Sequence, residues 1–285
     1  MIQSMTGYGK NVIQLASKKI TVEIKSLNSK SLDINARVPS SYREKELVMR
    51  KMLASSLTRG KVDFSLYVEM TGEETTSQIN KVVVKQYMKQ LTNIVDTDQA
   101  ELLKMAIKMP DALKTTREEI DENEFAEILK AVKDALKEIN IYRSDEGAVL
   151  RADFLARVAI IEARLEEVLD IDSQRIDIVK ERLRTAVNEL KEKVDENRFE
   201  QELIYYLEKY DITEEKVRLQ NHLNYFREAI NSDDSNGKKL GFITQEIGRE
   251  INTIGSKSNF APMQQLVVQM KDELEKIKEQ ALNVL

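Results

Sequence analysis

The chain has 285 residues, enough to bury a substantial hydrophobic core in one large domain or two ordinary ones. Because it contains no cysteine, disulfides, thiolate zinc sites and cysteine nucleophiles are excluded. A net charge of −5 with 33% charged residues excludes a uniformly basic nucleic-acid-binding protein but permits a local basic surface. No apolar run reaches membrane-spanning length and no signal-like pattern is present, so we expect a cytoplasmic protein without membrane contact.

The first seventy residues alternate apolar and polar side chains, which is typical of half-buried antiparallel strands. The alternation predicts strands at Met5–Ile13, Ile20–Ile24, Leu32–Ala36 and Val62–Val68. Between the last two, Ser41–Thr58 contains no chain breaker and spaces its apolar residues for a helix. We therefore predict a small antiparallel sheet with one helix packed on it.

Beyond Lys81 the apolar spacing becomes helical, and the middle of the chain has almost no proline or glycine. The spacing predicts a helix after Lys81, one over Leu102–Met109 and one from Asn123. A polar segment, Tyr142–Gly147, interrupts the helical spacing. The longest run of this spacing follows, from Leu150 to Val194. That run predicts either one extended helix or a long antiparallel hairpin.

The remaining chain is also predicted to be helical. Helices are expected at Arg198–Tyr210, Thr213–Ile230 and Lys238–Asn259, with a loop at Ser232–Gly237. Met263–Val284 alternates apolar spacings of four and three, a coiled-coil seam that needs a covering helix from this chain or a second subunit. The predicted class is α+β, with an N-terminal α+β domain over residues 1–150 and a helical C-terminal domain over residues 151–285.

The predicted helix Lys238–Asn259 carries an unusual polar side opposite its apolar stripe. Glu246 and Glu250 stand one turn apart, and the same side also carries Arg249, Asn252, Ser256 and Lys257. Two carboxylates so placed can share a hard divalent cation, and the cationic side chains can neutralise phosphate oxygens. From the residues alone we favour a solvated charged face, because no complete metal motif is present.

His222, the single histidine, lies at the edge of the apolar stripe of the helix before this one. Such a histidine is usually a boundary residue, although imidazole also suits general acid or base catalysis. A short connection makes the two helices antiparallel neighbours, which brings His222 towards the polar side.

Two N-terminal features also invite a functional interpretation. Gly7 and Gly9 flank Tyr8 without the pattern of a phosphate-binding loop, and we interpret them as a bulge or turn. Basic residues flank the predicted strands or their turns. They form either a solvated surface or, if clustered, a groove for a nucleic-acid backbone: Lys25, Lys30, Arg37, Arg59 and Lys61.

Short segments across the chain resemble one known family. They are Ser4–Gly9, Glu23–Asn28, Arg37–Pro39, Arg59–Lys61, Asp211–Glu215, Arg218–Leu219, His222–Leu223, Phe226, Lys239–Leu240, Gln245–Glu246, Arg249–Glu250, Asn252–Thr253 and Gly255–Lys257. Together they are similar to the YicC/YloC family of bacterial endoribonucleases over essentially the whole length. The resemblance implies an RNA substrate, an internal cut that depends on a divalent metal, and a homo-oligomer, a hexamer, whose helical parts close around RNA.

With this resemblance, residues 211–259 become the expected catalytic stretch, and the candidate residues receive roles. Glu246 and Glu250 would bind Mg²⁺ or Mn²⁺, His222 would transfer a proton, and Arg249 would stabilise phosphate charge. The residues expected to contact RNA are Lys25, Asn28, Lys30, Arg37, Arg59, Lys61, Asn252, Ser256 and Lys257. The alternative is a non-catalytic RNA-binding adaptor that presents RNA to another nuclease, with other RNA-decay enzymes as partners.

The sequence departs from the family pattern at two places. Ser29 and Lys30 stand where the family usually has a polar residue and then arginine, so a phosphate contact there is a point charge instead of a bidentate one. Gly241 stands where an aspartate is usual, and it is left out of the expected site.

Overall fold

The structure, a computed structural model, describes residues 2–71, 78–114, 120–189, 196–232 and 237–285. Its strands are β1 (Gly7–Gln14), β2 (Lys18–Leu27), β3 (Leu32–Arg37), β4 (Gly60–Met70), β5 (Gln78–Ile79) and β6 (Leu113–Lys114). Its helices are α1 (Glu46–Ser56), α2 (Lys81–Thr92), α3 (Gln99–Ala106), α4 (Glu122–Glu189), α5 (Glu196–Lys209), α6 (Thr213–Asn231), α7 (Gly237–Lys257) and α8 (Ala261–Ala281). An N-terminal sheet followed by long helices confirms the α+β class.

The N-terminal sheet has the strand order β1-β2-β4-β3. β2 pairs antiparallel with β1 and β4, whereas β3 pairs parallel with β4. The sheet is therefore mixed, and the expectation of purely antiparallel strands is wrong for β3. The reason is α1, which connects β3 to β4 as a crossover and returns the chain to the same end of the sheet.

One face of this sheet is covered by helices. Ile20, Val22, Ile24 and Phe64 point into a core shared with α1 and with the first part of α4. The glycines of β1 allow α4 to lie directly on this strand. A Cβ added to Gly9 would come within 2.1 Å of the Ala135 carbonyl oxygen. The predicted bulge or turn at Gly7 and Gly9 is thus a close helix–strand contact instead.

α4 is one continuous helix of 68 residues, about 100 Å long at a rise of 1.5 Å per residue. The described part of the run from Leu150 to Val194 is therefore one extended helix and not a hairpin. α4 also passes through Tyr142–Gly147 without a break. Arg143 and Gly147 follow Ile139 at four-residue spacing and are buried. The buried side of α4 therefore continues through this segment, where it consists of an arginine and a glycine instead of large apolar residues. Since α4 also runs through residue 150, the domain boundary stays a prediction.

The second half of α4 belongs to a separate core with α6, α7 and α8. The predicted coiled-coil seam is buried in this core at Met263, Val267, Met270 and Leu274. The helices that cover the seam therefore come from the same chain. None of the helices in the described ranges combines the length and apolar character needed to cross a bilayer.

The two ends of the chain meet between the two cores. The Met5 amide donates to the Asn283 carbonyl oxygen at 2.7 Å, and the Leu285 amide donates to the Gln3 carbonyl oxygen at 2.9 Å. Asn28, at the end of β2, donates its side-chain amide to the Leu282 carbonyl oxygen at 2.6 Å. The start of the sheet is thus hydrogen-bonded to the segment that follows α8.

Candidate functional site

The apolar side of α7 is buried as its spacing predicts, at Leu240, Ile243, Ile247 and Ile251. The polar side is divided. Arg249 is exposed and lies 3.4 Å from the Glu246 carboxylate, a surface ion pair that contributes little to stability. Both side chains are therefore free to exchange this contact for a ligand.

Glu250 has a different environment from Glu246. It is 4% exposed, and its carboxylate has no hydrogen bond or ion pair among the described residues. Its oxygens are not among the described side-chain atoms that are buried without a partner, so the carboxylate still reaches solvent. Glu250 therefore fits a cation or a hydrogen-bond donor that approaches from outside the chain.

The seam between α6 and α7 is closed by Lys257. Its ammonium lies 2.7 Å from Glu215 Oε1 and donates to the Asp211 carbonyl oxygen at 2.9 Å. These contacts join the end of α7 to the start of α6, so the two helices are antiparallel, as expected. His222 follows Glu215 by seven residues and Glu250 precedes Lys257 by seven. His222 and Glu250 therefore lie on the sides of the two helices that carry this ion pair.

His222 is half-buried and, among the described residues, makes neither a hydrogen bond nor an ion pair. Asn252 is exposed and likewise has no partner in the described ranges. Ser256 donates to the Thr253 carbonyl oxygen at 3.0 Å. The imidazole at this seam and the exposed Asn252 amide are thus available to a ligand.

A buried polar network that the apolar spacing did not predict lies beside Lys257. Arg175 of α4 pairs with Asp172 at 2.7 Å, and Lys216 of α6 contacts the other oxygen of Asp172 at 2.8 Å. Arg175 also donates to the Lys257 carbonyl oxygen at 3.5 Å. The available signal was the polar stretch between Val168 and Ile176, which interrupts the apolar spacing of α4, but such a stretch does not tell a buried network from a solvated turn.

Asp211 lies two residues before α6 and contributes to the same corner. Its carboxylate accepts hydrogen bonds from the Thr213 hydroxyl at 2.7 Å and the Thr213 amide at 2.9 Å. These bonds hold the pKa of Asp211 below its ordinary value. These bonds form a turn immediately before α6, next to the Asp211 carbonyl oxygen that accepts from Lys257.

The structure brings only some of the N-terminal candidates together. Lys30, Arg59 and Lys61 lie at one end of the sheet, where Arg59 Nε donates to the Ser29 carbonyl oxygen at 2.8 Å. Lys25 lies close by on the open face, with its ammonium 5.6 Å from the Tyr8 ring centre. Arg37 lies at the far end of β3. Asn28 is occupied by its bond to Leu282.

Two family models match this chain. The model described as "Endoribonuclease YicC-like, N-terminal region" covers residues 2–152, and "Endoribonuclease YicC-like, C-terminal" covers residues 168–285. The chain belongs to the YicC-like family. Two curated relatives, both named "Probable endoribonuclease YicC", match over their full length and that of this chain. The protein from Clostridioides difficile (strain 630) is 35% identical, and the one from Haemophilus influenzae (strain Rd) is 28% identical.

A divalent metal in this YicC-like protein would need ligands from the candidate residues. Across the described ranges, no group of three or more histidine or carboxylate side chains converges in a way that could hold one. Glu246 and Glu250 alone offer two carboxylates, which suits Mg²⁺ bound partly by water and substrate phosphate. The unpartnered Glu250 carboxylate supports this fit. Gly241 leaves open space, since an added Cβ would meet nothing within 4 Å.

Proposed function

We propose that this protein is an endoribonuclease that cuts RNA internally with a divalent metal. The observation that carries the proposal is Glu250, a largely buried residue whose unpartnered carboxylate reaches solvent on the side of α7 that also carries Lys257. Membership of the YicC-like family supports the same activity, as do the names of both relatives.

In this proposal, Glu246 and Glu250 bind Mg²⁺ or Mn²⁺ at the side of α7. When bound, the metal supplies Lewis-acid stabilisation of the phosphate and activation of a water or hydroxyl nucleophile. Arg249 exchanges its exposed contact with Glu246 for phosphate oxygens, which charge-assisted hydrogen bonds favour. The catalytic set is completed by His222, which moves a proton at the half-buried seam with α6.

Other residues hold the RNA in this proposal. Asn252, Ser256 and Lys257 contact phosphates beside the catalytic side chains, on the last turns of α7. Lys25, Lys30, Arg37, Arg59 and Lys61 follow the RNA backbone along the N-terminal sheet. Asn28 joins them only if its bond to the Leu282 carbonyl oxygen opens.

We further propose a homo-oligomer, a hexamer, that closes around RNA. Support comes from the apolar side chains that α4 and α5 leave exposed at Ile178, Ile204 and Tyr205, because a second subunit would cover such a surface. An oligomer would also allow the sheet of one subunit to guide RNA to the α7 site of another. Analytical ultracentrifugation at several protein concentrations tests this assembly, and a monomer throughout would contradict it.

A second candidate function is a non-catalytic adaptor that binds RNA and presents it to another nuclease. The absence of a three-residue metal cluster in the described ranges favours it. Such an adaptor uses the same basic residues and the same oligomer, so RNA binding alone does not distinguish the two functions.

The deciding experiment incubates the purified full-length protein with end-labelled single-stranded RNA and with a stem-loop RNA, each in EDTA, Mg²⁺ or Mn²⁺. Internal cuts that disappear in EDTA and return with either metal support the enzyme. Binding without cuts under every condition would support the adaptor. A Glu246→Gln preparation controls for a contaminating nuclease, and Glu275→Gln is the neutral comparison, because Glu275 is an exposed residue of α8 paired with Lys278.

A further inference from the structure

Arg143 occupies a core position of α4. It is 2% exposed, and its Nη2 donates to the Met5 carbonyl oxygen at 3.3 Å, to the Ser26 hydroxyl and to the Arg59 carbonyl oxygen at 3.5 Å. Its Nε is buried without a hydrogen-bond partner. A guanidinium in such a position is unusual, because arginine is rarely fully buried unless a carboxylate accompanies it.

No carboxylate in the described ranges pairs with Arg143. Glu146, one turn further along α4, accepts a hydrogen bond from the Thr6 hydroxyl at 2.6 Å instead. Burial lowers the pKa of the Arg143 guanidinium, yet an arginine with only oxygen acceptors around it stays protonated. The end of the sheet therefore contains a buried positive charge that its surroundings do not neutralise.

Two glycines make room for this side chain. A Cβ added to Gly7 would lie 3.1 Å from Arg143 Cγ and 2.7 Å from Ile139 Cγ1. Gly60 has a φ of +122°, which favours glycine, and a Cβ there would lie 2.8 Å from the Ser26 hydroxyl and 3.6 Å from Arg143 Nη2. The fold thus provides a specific pocket for Arg143, and a smaller side chain would leave part of that pocket empty.

The partners of Arg143 belong to three segments that end beside one another. Met5 precedes β1, Ser26 lies near the end of β2, and Arg59 precedes β4. The adjoining chain carries Lys30 and Arg59 on loops and Lys61 at the start of β4, and these three form no ion pair among the described residues. We call these three residues the cationic edge. One guanidinium therefore holds the backbone from which the cationic edge projects.

We propose that Arg143 is a positioning residue for the binding of RNA phosphates at the cationic edge. It fixes the backbone at the end of β2 and the start of β4, beside Lys30, Arg59 and Lys61, and its uncompensated charge adds to the positive potential beneath them. This inference rests on the proposed function in one respect, since the anion that approaches the edge is taken to be RNA.

The test measures RNA affinity in EDTA, so that no cutting interferes, over a series of KCl concentrations. Arg143→Met removes the charge and the guanidinium donors, and Arg143→Lys keeps only the charge. Ser26→Ala removes one acceptor of the Arg143 guanidinium. Arg151→Met is the matched control, because Arg151 is an exposed arginine of the same helix that donates to Asn231. Circular dichroism and thermal melts identify the temperature at which each variant is folded.

We expect Arg143→Met to bind about tenfold more weakly at low salt, with a salt slope reduced by about one. Arg143→Lys should recover the slope but only part of the affinity. In an Arg59→Ala/Lys61→Ala background, Arg143→Met should have little further effect. A residue that serves only the stability of the fold would lower the melting temperature and leave the salt slope unchanged.

The inference is overturned if folded Arg143→Met binds RNA like Arg151→Met. If Arg143→Met does not fold, Arg143→Lys and Ser26→Ala decide in its place, and wild-type affinity in both would overturn the inference. Unchanged binding by Arg59→Ala/Lys61→Ala would instead refute the cationic edge itself. Loss of cutting has no bearing on these outcomes, so failure of the proposed catalysis stays separate.

Discussion

The Lys257 ammonium at the end of α7 lies 2.7 Å from Glu215 Oε1 at the start of α6, and the other oxygen of Glu215 is buried without a partner. This ion pair closes the seam that also carries His222 and Glu250. Because Lys257 is half-exposed while Glu215 is buried, the lysine can turn outward to a phosphate more easily than Glu215 can move.

Replacing Glu215 tests the strength of this closure. Glu215→Ala leaves Lys257 without its ionic partner and opens a small cavity, and we expect the free energy of unfolding to fall by about 1–3 kcal/mol. Glu214→Ala is the matched control, since Glu214 is an exposed neighbour paired with Arg218. Urea unfolding measures both variants, and equal losses would argue against a structural role for the Glu215–Lys257 pair.

A pair of glycine substitutions tests the packing of α4 on β1. Gly9→Ala places a Cβ 2.1 Å from the Ala135 carbonyl oxygen. We therefore expect the free energy of unfolding to fall by about 1–3 kcal/mol. Gly241→Ala adds a Cβ in open space within a helix and should stabilise the protein by about 0.5–1 kcal/mol. Chemical denaturation of both variants checks the opposite signs, and a neutral Gly9→Ala would contradict the close contact.

The lowered pKa of Asp211 gives a pH-dependent prediction. Its carboxylate is held ionised by the Thr213 hydroxyl and amide, so its stabilisation is present above the ordinary pKa of 3.8 and is lost as pH falls through the lower folded value. Near neutral pH, Asp211→Ala should be less stable by about 0.5–1 kcal/mol. Urea titrations should show this difference shrinking below pH 3.8, and a constant difference would contradict the assignment.

Metal binding has a readout that is independent of catalysis. If Glu246 and Glu250 bind the cation, Mg²⁺ or Mn²⁺ should raise the melting temperature, since a ligand at one hundred times its Kd stabilises by about 2.7 kcal/mol. Glu246→Gln and Glu250→Gln should each abolish most of this shift. Glu275→Gln should retain it, and an unchanged shift in the Glu250 variant would place the metal elsewhere.

Helical spacing predicted the C-terminal half well where burial depends on one helix at a time. The stripe Leu240, Ile243, Ile247 and Ile251 and the terminal heptad are buried, because apolar side chains at these intervals share one side of a helix. The identity of the covering helices was left open, since the heptad fits a helix of the same chain and one of a second subunit equally well.

Properties that depend on several elements were harder to foresee. The direction of β3 follows from the crossover through α1, and alternation within a strand carries no information about direction. Glu246 and Glu250 look equivalent by spacing, but only Glu250 is buried, because burial depends on how the neighbouring helices pack on α7. Arg143 interrupted the apolar pattern of α4, yet it occupies a core position because Gly7 and Gly60 vacate space for it.

The measurement that tests the central claim most directly compares RNA cutting by wild type and Glu250→Gln in Mg²⁺ at matched occupancy of the RNA. The substitution removes the charge and keeps the size and shape of the side chain, and Glu250 has no described partner to lose, so the fold should be about as stable as wild type. We predict normal RNA binding with cutting reduced by about a hundredfold or more. Cutting at the wild-type rate by folded Glu250→Gln would contradict the site.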